Sequence, residues 1–152
     1  MKIRELGKKD YQSLAGLLKQ LGYGDNDALS LVSRYAIFKK QGGIVFVVED
    51  DAKKVIGFAA IAIMPLIHCD GFLARIAGIC IDENSRSAGI GAELIKHIEN
   101  YCVQKECVLL EVTTNLVREK AHQFYLNNGF VETHKRYNKK PEARILNRVK
   151  KV

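Results

Sequence analysis

The chain predicts an α/β protein: one domain over residues 1–152, with a mixed central β-sheet flanked by helices. Three observations carry this expectation. Apolar runs of strand character alternate with segments whose apolar residues recur at helical spacing. Three strand runs follow one another in mid-chain and precede two strand–helix units, which requires antiparallel and parallel pairing in one sheet. No repeat, linker or low-complexity tract divides the chain.

Taken in order, "MKIREL" alternates and reads as a strand. Asp10 is placed to cap a helix carrying Leu14, Leu17, Leu18 and Leu21, which Gly22 and Gly24 end. "DNDALSLVSRYAIFKK" reads as a second helix with a less regular apolar stripe. "GIVFVVED", the turn "DDAKK" and "VIGFAAIAIM" read as a hairpin, and "FLARIAGICID" as a further long strand. A glycine-containing loop leads into the helix "GAELIKHIENYCVQ", with Leu94, Ile95, Ile98 and Cys102 on one side. "CVLLEVTT" is a strand, "VREKAHQFYLNN" a helix closed by Gly129, "FVETHKRY" a strand, and 142–149 a last basic strand. The expected order is β-α-α-β-β-β-α-β-α-β-β.

The bulk properties exclude several classes. The composition, 47% hydrophobic and 27% charged, is globular. The longest apolar stretch, Val55 to Ile67, is short of the ~18 residues of a membrane span and contains Gly57 and Pro65. "MKIRELGKKD" lacks the apolar segment of a signal peptide, so a cytoplasmic location is expected. The four cysteines, Cys69, Cys80, Cys102 and Cys107, form no CxxC pair and have no histidine at ligand spacing, so free thiols and no metal are expected. Of 24 basic and 17 acidic residues, eight basic and one acidic fall within 135–151, leaving sixteen of each elsewhere. That basic segment reads as a solvated strand whose lysines blunt a sheet edge. Nucleic-acid binding is not expected, because no nucleic-acid module accompanies the charge.

"RSAGIG" (86–91) directly follows a strand and opens a helix. Helix N-termini carry unpaired N–H groups and partial positive charge, and glycines let an anion approach the backbone. No lysine follows as in the P-loop, and Leu94 stands where the dinucleotide fingerprint has its third glycine. By spacing alone, a plain glycine turn and a phosphate site fit equally well. A second block, "TTNLVREKAHQFYLNNGF", lies downstream.

Together these blocks resemble the two signature segments of the GNAT superfamily of N-acetyltransferases, Arg/Gln-x-x-Gly-x-Gly/Ala and Arg-x-x-Ala-His-x-Phe-Tyr-x-x-x-Gly-Phe. The element order is similar to that fold from end to end. The resemblance implies acetyl transfer from acetyl-coenzyme A to a primary amine by direct attack in a ternary complex. The acceptor is a small molecule or a peptide, and a homodimer is open. It also implies that Arg86, Ser87, Ala88, Gly89, Ile90, Gly91 and Ala92 hold the pyrophosphate through backbone N–H groups. Ile79, Cys80 and Ile81 then bind the pantetheine arm along a splayed strand, where an N–H could stabilise the oxyanion. Asn115 resembles a coenzyme contact and reads equally as a helix-entry cap. By itself Tyr125 reads as a core aromatic beside Phe124 and Phe130. The resemblance implies a general acid that protonates the departing thiolate.

Two departures stand out. Arg75 occupies the position where histone-type relatives carry a glutamate base, and Arg118 stands where many members have asparagine. An alkyl amine of pKa ~10.4 is neutral in only about one molecule in 2,500 at pH 7, equivalent to ~4.6 kcal/mol, so the missing base matters. A water chain, Glu111 and His122 are the alternatives. Tyr23, Asp25, Asp27, Tyr35, His68 and Asp70 are candidates for reading the acceptor, with helix capping the stronger reading for Asp25 and Asp27. A coenzyme A-binding regulatory module without turnover is the alternative function.

Overall fold

The computed structural model describes residues 1–141. Strands β1 (Lys2–Glu5), β2 (Ile44–Glu49), β3 (Val55–Pro65), β4 (Phe72–Ile81) and β5 (Cys107–Val112) form one sheet in the order β1-β2-β3-β4-β5. The first three pairings are antiparallel and β4–β5 is parallel. Helices α1 (Tyr11–Gln20), α2 (Ala28–Lys40), α3 (Ile90–Gln104) and α4 (Glu119–Asn127) complete the fold, with short 3-10 turns at Lys8–Asp10 and Glu83–Ser85.

The apolar run of β2 is buried along its whole length. Successive side chains of a strand point to opposite faces, so such a run needs cover on both. Phe46 and Val48 join Ile56, Ile61 and Ile76 under Leu94, Ile95 and Ile98 of α3. Val45 and Val47 join Phe58 and Cys80 under Leu14 and Leu17 of α1 and Leu31 of α2. The sheet is thus the middle layer between α1/α2 and α3.

Two expectations change. Asp10 precedes α1 but its carboxylate caps nothing there. It is instead 2% exposed and accepts from Arg4 Nη1 (2.6 Å), Arg4 Nη2 (3.1 Å) and the Gly7 N–H (2.7 Å). Arg4 also donates from Nε (3.0 Å) and Nη2 (2.6 Å) to Glu49, which is 4% exposed. Nearly buried carboxylates need paired cations, and this one guanidinium serves both. Hydrogen bonds from Arg4 hold both carboxyls below their ordinary range.

The second change concerns residues 130–137, which form no strand. Only Phe130 packs into the core, while 131–140 are exposed, Val131 and Tyr137 included. A segment with no apolar face to bury gains too little to offset the cost of ordering. β5 is consequently an edge strand among the described residues, with Val108 and Leu109 exposed. The strand expected over 142–149 lies outside the described residues.

Arg4→Leu leaves Asp10 without a cation and Glu49 with only the exposed Lys53 Nζ at 3.7 Å, and is expected to cost about 3–5 kcal/mol, on the scale measured for broken buried pairs. The wild-type carboxyls are depressed, so their contribution is present above the ordinary carboxylate range and is lost as pH falls through the depressed values. The difference between wild type and variant should therefore be largest near neutrality and shrink toward acid in urea titrations. A constant gap across that range would contradict the assignment.

Candidate active site: a forked strand beside an uncapped helix

β4 and β5 pair in register only as far as Ile76 and Val112. On its other side β4 stays paired with β3 to Ile81, but Ile61 faces Ile76 and Ala60 faces Gly78, so Ala77 is the extra residue of a bulge. A bulge bends its strand and sharpens the local twist. β4 therefore leaves β5 at Ala77, and its edge from there to Ile81 faces a cleft of about 1090 Å³. Ile79, Cys80 and Ile81 line this cleft, as expected for the splayed strand.

The glycine loop closes one end of the cleft. Asp82 N–H donates to Ile56 O (2.8 Å), and Asp82 Oδ1 accepts from Asn84 N–H (3.0 Å). Gln20, at the end of α1, donates to Asp82 Oδ2 (3.2 Å) and accepts from Glu83 N–H (3.0 Å). Arg86 Nε returns to Ile81 O (3.0 Å). Ser87 and Gly89 both adopt positive φ, +68° and +76°. Gly89 is the N-cap of α3, and no side chain caps that terminus. The first N–H groups of α3 thus meet the cleft with the partial positive charge of the helix behind them. Arg86, Ser87, Gly89, Ile90, Gly91 and Ala92 all line it; Ala88 does not.

The two glycines serve different ends. A Cβ at Gly89 would meet nothing within 4 Å, so its requirement is the left-handed backbone. A Cβ at Gly91 would lie 2.9 Å from Phe124 Cε2 and 3.0 Å from Cζ. Gly91 is therefore where α3 admits the ring of Phe124 and brings α4 close.

Tyr125 lines the cleft, wedged edge-on between Phe124 (ring centroids 5.4 Å apart) and Phe130 (5.5 Å). It has both features that the sequence left as alternatives, aromatic packing and a place in the cleft. Burial pushes its pKa up, and the charge of Arg118 opposes this more weakly. Among the described residues no buried polar side-chain atom lacks a partner, so the Tyr125 hydroxyl is not a buried, unpaired group.

Asn115 lines the cleft while its Oδ1 accepts from Val117 N–H (3.2 Å) in the turn ahead of α4; the N-cap of α4 is Arg118, so Asn115 does not form the expected cap. Two base candidates fall outside the cleft lining. His122 Nε2 bonds to Asn115 O (2.9 Å), and a carbonyl can only accept, so that nitrogen carries the proton and anchors α4. Glu111 is engaged by Arg75 Nε (2.6 Å), its register partner across β4–β5.

Of the acceptor-reading candidates only Tyr23 lines the cleft. Asp27 caps α2, accepting from Ser30 N–H (2.9 Å) and Oγ (2.7 Å). Tyr35 donates to Glu5 (3.0 Å), and burial drives its pKa up to about 12. His68 and Asp70 sit in the β3–β4 turn, at the end of β4 away from the glycine loop. Sequence reasoning missed Arg136, whose Nη1 donates to Thr113 Oγ1 (2.8 Å) at the fork. Its only sequence signal is membership of a basic run. Arg118 Nη2 donates to Leu21 O (2.9 Å).

All four cysteines are free thiols. Among the described residues, no helix is long and apolar enough to cross a membrane, and no cluster of three or more metal-ligating residues occurs.

Comparison with known proteins agrees with this architecture. Over 86 residues the chain is 28% identical to an aminoalkylphosphonate N-acetyltransferase of Salmonella typhimurium. That match covers 57% of this chain and 56% of the relative, so the chain spans just over half its length. A putative acetyltransferase from Agrobacterium tumefaciens superposes with TM-score 0.83 at 21% identity, over 93% of this chain and all of that one. The acetyltransferase AAC(6')-Iy, in complex with a coenzyme A bisubstrate analogue, superposes with TM-score 0.78 at 24% identity, over 93% and 97% of the two chains. The model of the acetyltransferase (GNAT) family matches residues 9–130, and the chain belongs to that family.

Proposed function

We propose that this protein transfers an acetyl group from acetyl-coenzyme A to a primary amine by direct attack in a ternary complex. The observation that carries this reading is the uncapped N-terminus of α3, opening beside the unpaired edge of β4. One suits a pyrophosphate and the other an amide-bearing arm, the two binding elements of coenzyme A.

Backbone N–H groups from Arg86 through Ala92 hold the pyrophosphate. Ile79, Cys80 and Ile81 pair with the pantetheine arm as an added strand. An N–H at this edge stabilises the oxyanion that develops when the amine nitrogen attacks the thioester carbon. Acetyl-coenzyme A supplies the activated acyl carbon. As the carbon–sulfur bond breaks, Tyr125 gives its proton to the thiolate, and the proton lost by the nitrogen passes to water. Asn115, in the turn ahead of α4, faces the same arm. The Salmonella relative is named for an aminoalkylphosphonate acceptor, which supports an amine acceptor here.

Coenzyme A should raise the melting temperature, since a ligand at about 100 times its Kd stabilises the native state by about 2.7 kcal/mol. Tyr125→Phe is expected to lower kcat by about 10²-fold, the low end for a general acid, while the Kd for coenzyme A stays near that of wild type. An unchanged kcat would remove Tyr125 from the role. Because burial raises its pKa above the usual ~10, the proton is present throughout the neutral range and is lost only above that value. A rate loss attributable to Tyr125 therefore belongs above pH ~10, and one near pH 8 that vanishes in Tyr125→Phe would refute this.

Gly91→Ala tests the coupling of α3 to α4. The new methyl displaces the Phe124 ring and with it Tyr125, an overpacking cost of about 1–3 kcal/mol that exceeds the gain in helix propensity of up to ~1 kcal/mol. Turnover followed by thiol release should fall about tenfold, as 1.4 kcal/mol of misplacement in the transition state requires. Wild-type kcat in this variant would show that the contact does not position the phenol.

A further inference from the structure

The charged side chains lining the cleft are Arg86, Arg118, Lys120 and Arg136, and no carboxylate lines it among the described residues. Arg86 belongs to the glycine loop and Lys120 to the first turn of α4. Arg136 lies at the fork, and Arg118 lies beside it toward Cys80 and Tyr125, both of which feel its charge. Arg136 is bonded to Thr113, the residue after the last β4–β5 pair. Arg118 is bonded to the carbonyl of Leu21, whose side chain lies 3.8 Å from where a Cβ on Gly78 would be. Gly78 is the first residue past the bulge.

A pyrophosphate at the glycine loop does not account for Arg136. Five residues of strand separate Ile76 from Ile81, about 16 Å at the rise of a β-strand. That is twice the screening length of about 8 Å at physiological ionic strength, so a pyrophosphate at the glycine loop leaves Arg136 largely unneutralised. Each of these guanidiniums spends one donor on its anchor, and the bond holds the group in place. The remaining donors of a guanidinium form a planar fork that matches a carboxylate or phosphate.

Resting on the acetyl-transfer reading, we propose that the acceptor is a primary amine bearing an oxyanion (a carboxylate, phosphate or phosphonate) held by Arg118 and Arg136 at the strand fork. The same lining repels polycationic amines, because nothing in it offsets a second positive charge. Arg118 and Arg136 are then specificity-determining residues, and Arg118 fills its position for the acceptor's charge.

The test uses the full chain with acetyl-coenzyme A and four primary amines: 2-aminoethylphosphonate, β-alanine, ethanolamine and spermidine. Thiol release gives kcat and KM for each. At least one of the two oxyanion amines should exceed ethanolamine about tenfold or more in kcat/KM, with spermidine the poorest, as a charge contact that the neutral group of ethanolamine lacks predicts. The phosphonate and carboxylate arms show which oxyanion the site prefers. Arg118→Gln and Arg136→Gln should each narrow the preference over ethanolamine, mainly through KM, and added salt should narrow it in wild type. Coenzyme A affinity checks that both variants are folded. Equal turnover of ethanolamine or spermidine by wild type overturns the inference while acetyl transfer stands, as does a preference that survives both substitutions. Coenzyme binding without thiol release from any of the four overturns the acetyl-transfer reading itself, and this inference with it.

Discussion

The rest of the site depends on one constraint, the parting of β4 from β5 after Ile76. A strand edge that loses its partner exposes unpaired N–H and C=O groups, which a protein must cover or use. Here the loss is one-sided. β4 remains paired with β3 to its last residue, and Asp82 continues that ladder by bonding to Ile56. The free edge is therefore held in place from behind while it faces the cleft. The bulge at Ala77 is what permits this, because an extra residue on one strand re-aims it without breaking the sheet.

The electrostatics of the cleft follow from what flanks that edge. The terminus of α3 contributes oriented N–H groups and a partial charge, and the arginines contribute full ones. A carboxylate among them would be drawn into an ion pair and would weaken the field that an anion meets. Such pairing is what happens elsewhere. Glu111 is held by Arg75 across the β4–β5 ladder, and Asp10 and Glu49 share Arg4 beneath β1. These three acids are engaged structurally, and among the described residues no carboxylate lines the cleft.

Much of this was legible in the sequence where the governing physics is local. The continuous apolar run of β2 announces a strand covered on both faces, and the 3.6-residue stripe of α3 announces its buried side. Gly89 was legible as a glycine at the mouth of a helix with room for an anion, but its left-handed backbone was not. Gly91 was legible as a glycine but not for its reason, since Phe124 lies 33 positions away and approaches only in three dimensions. Asp10 shows the same limit. Its position before an apolar stripe is that of a cap, yet Arg4, six residues back, claims it while also holding Glu49, 45 residues away in sequence. The strand expected over 130–137 failed because alternation alone does not supply a face to bury.

The close approach of Gly91 to Phe124 has a consequence for the size of the donor. Phe124 and Tyr125 are neighbours on one helix, so the contact fixes the span between the mouth of α3 and the phenol. On the acetyl-transfer reading this span acts as a ruler, seating phosphate at one end and sulfur at the other of a single rigid frame. A thioester cut short of the pyrophosphate would lose its hold on the far mark. It would present its sulfur to the phenol less accurately, and the deficit would appear in the rate of the chemical step as well as in binding.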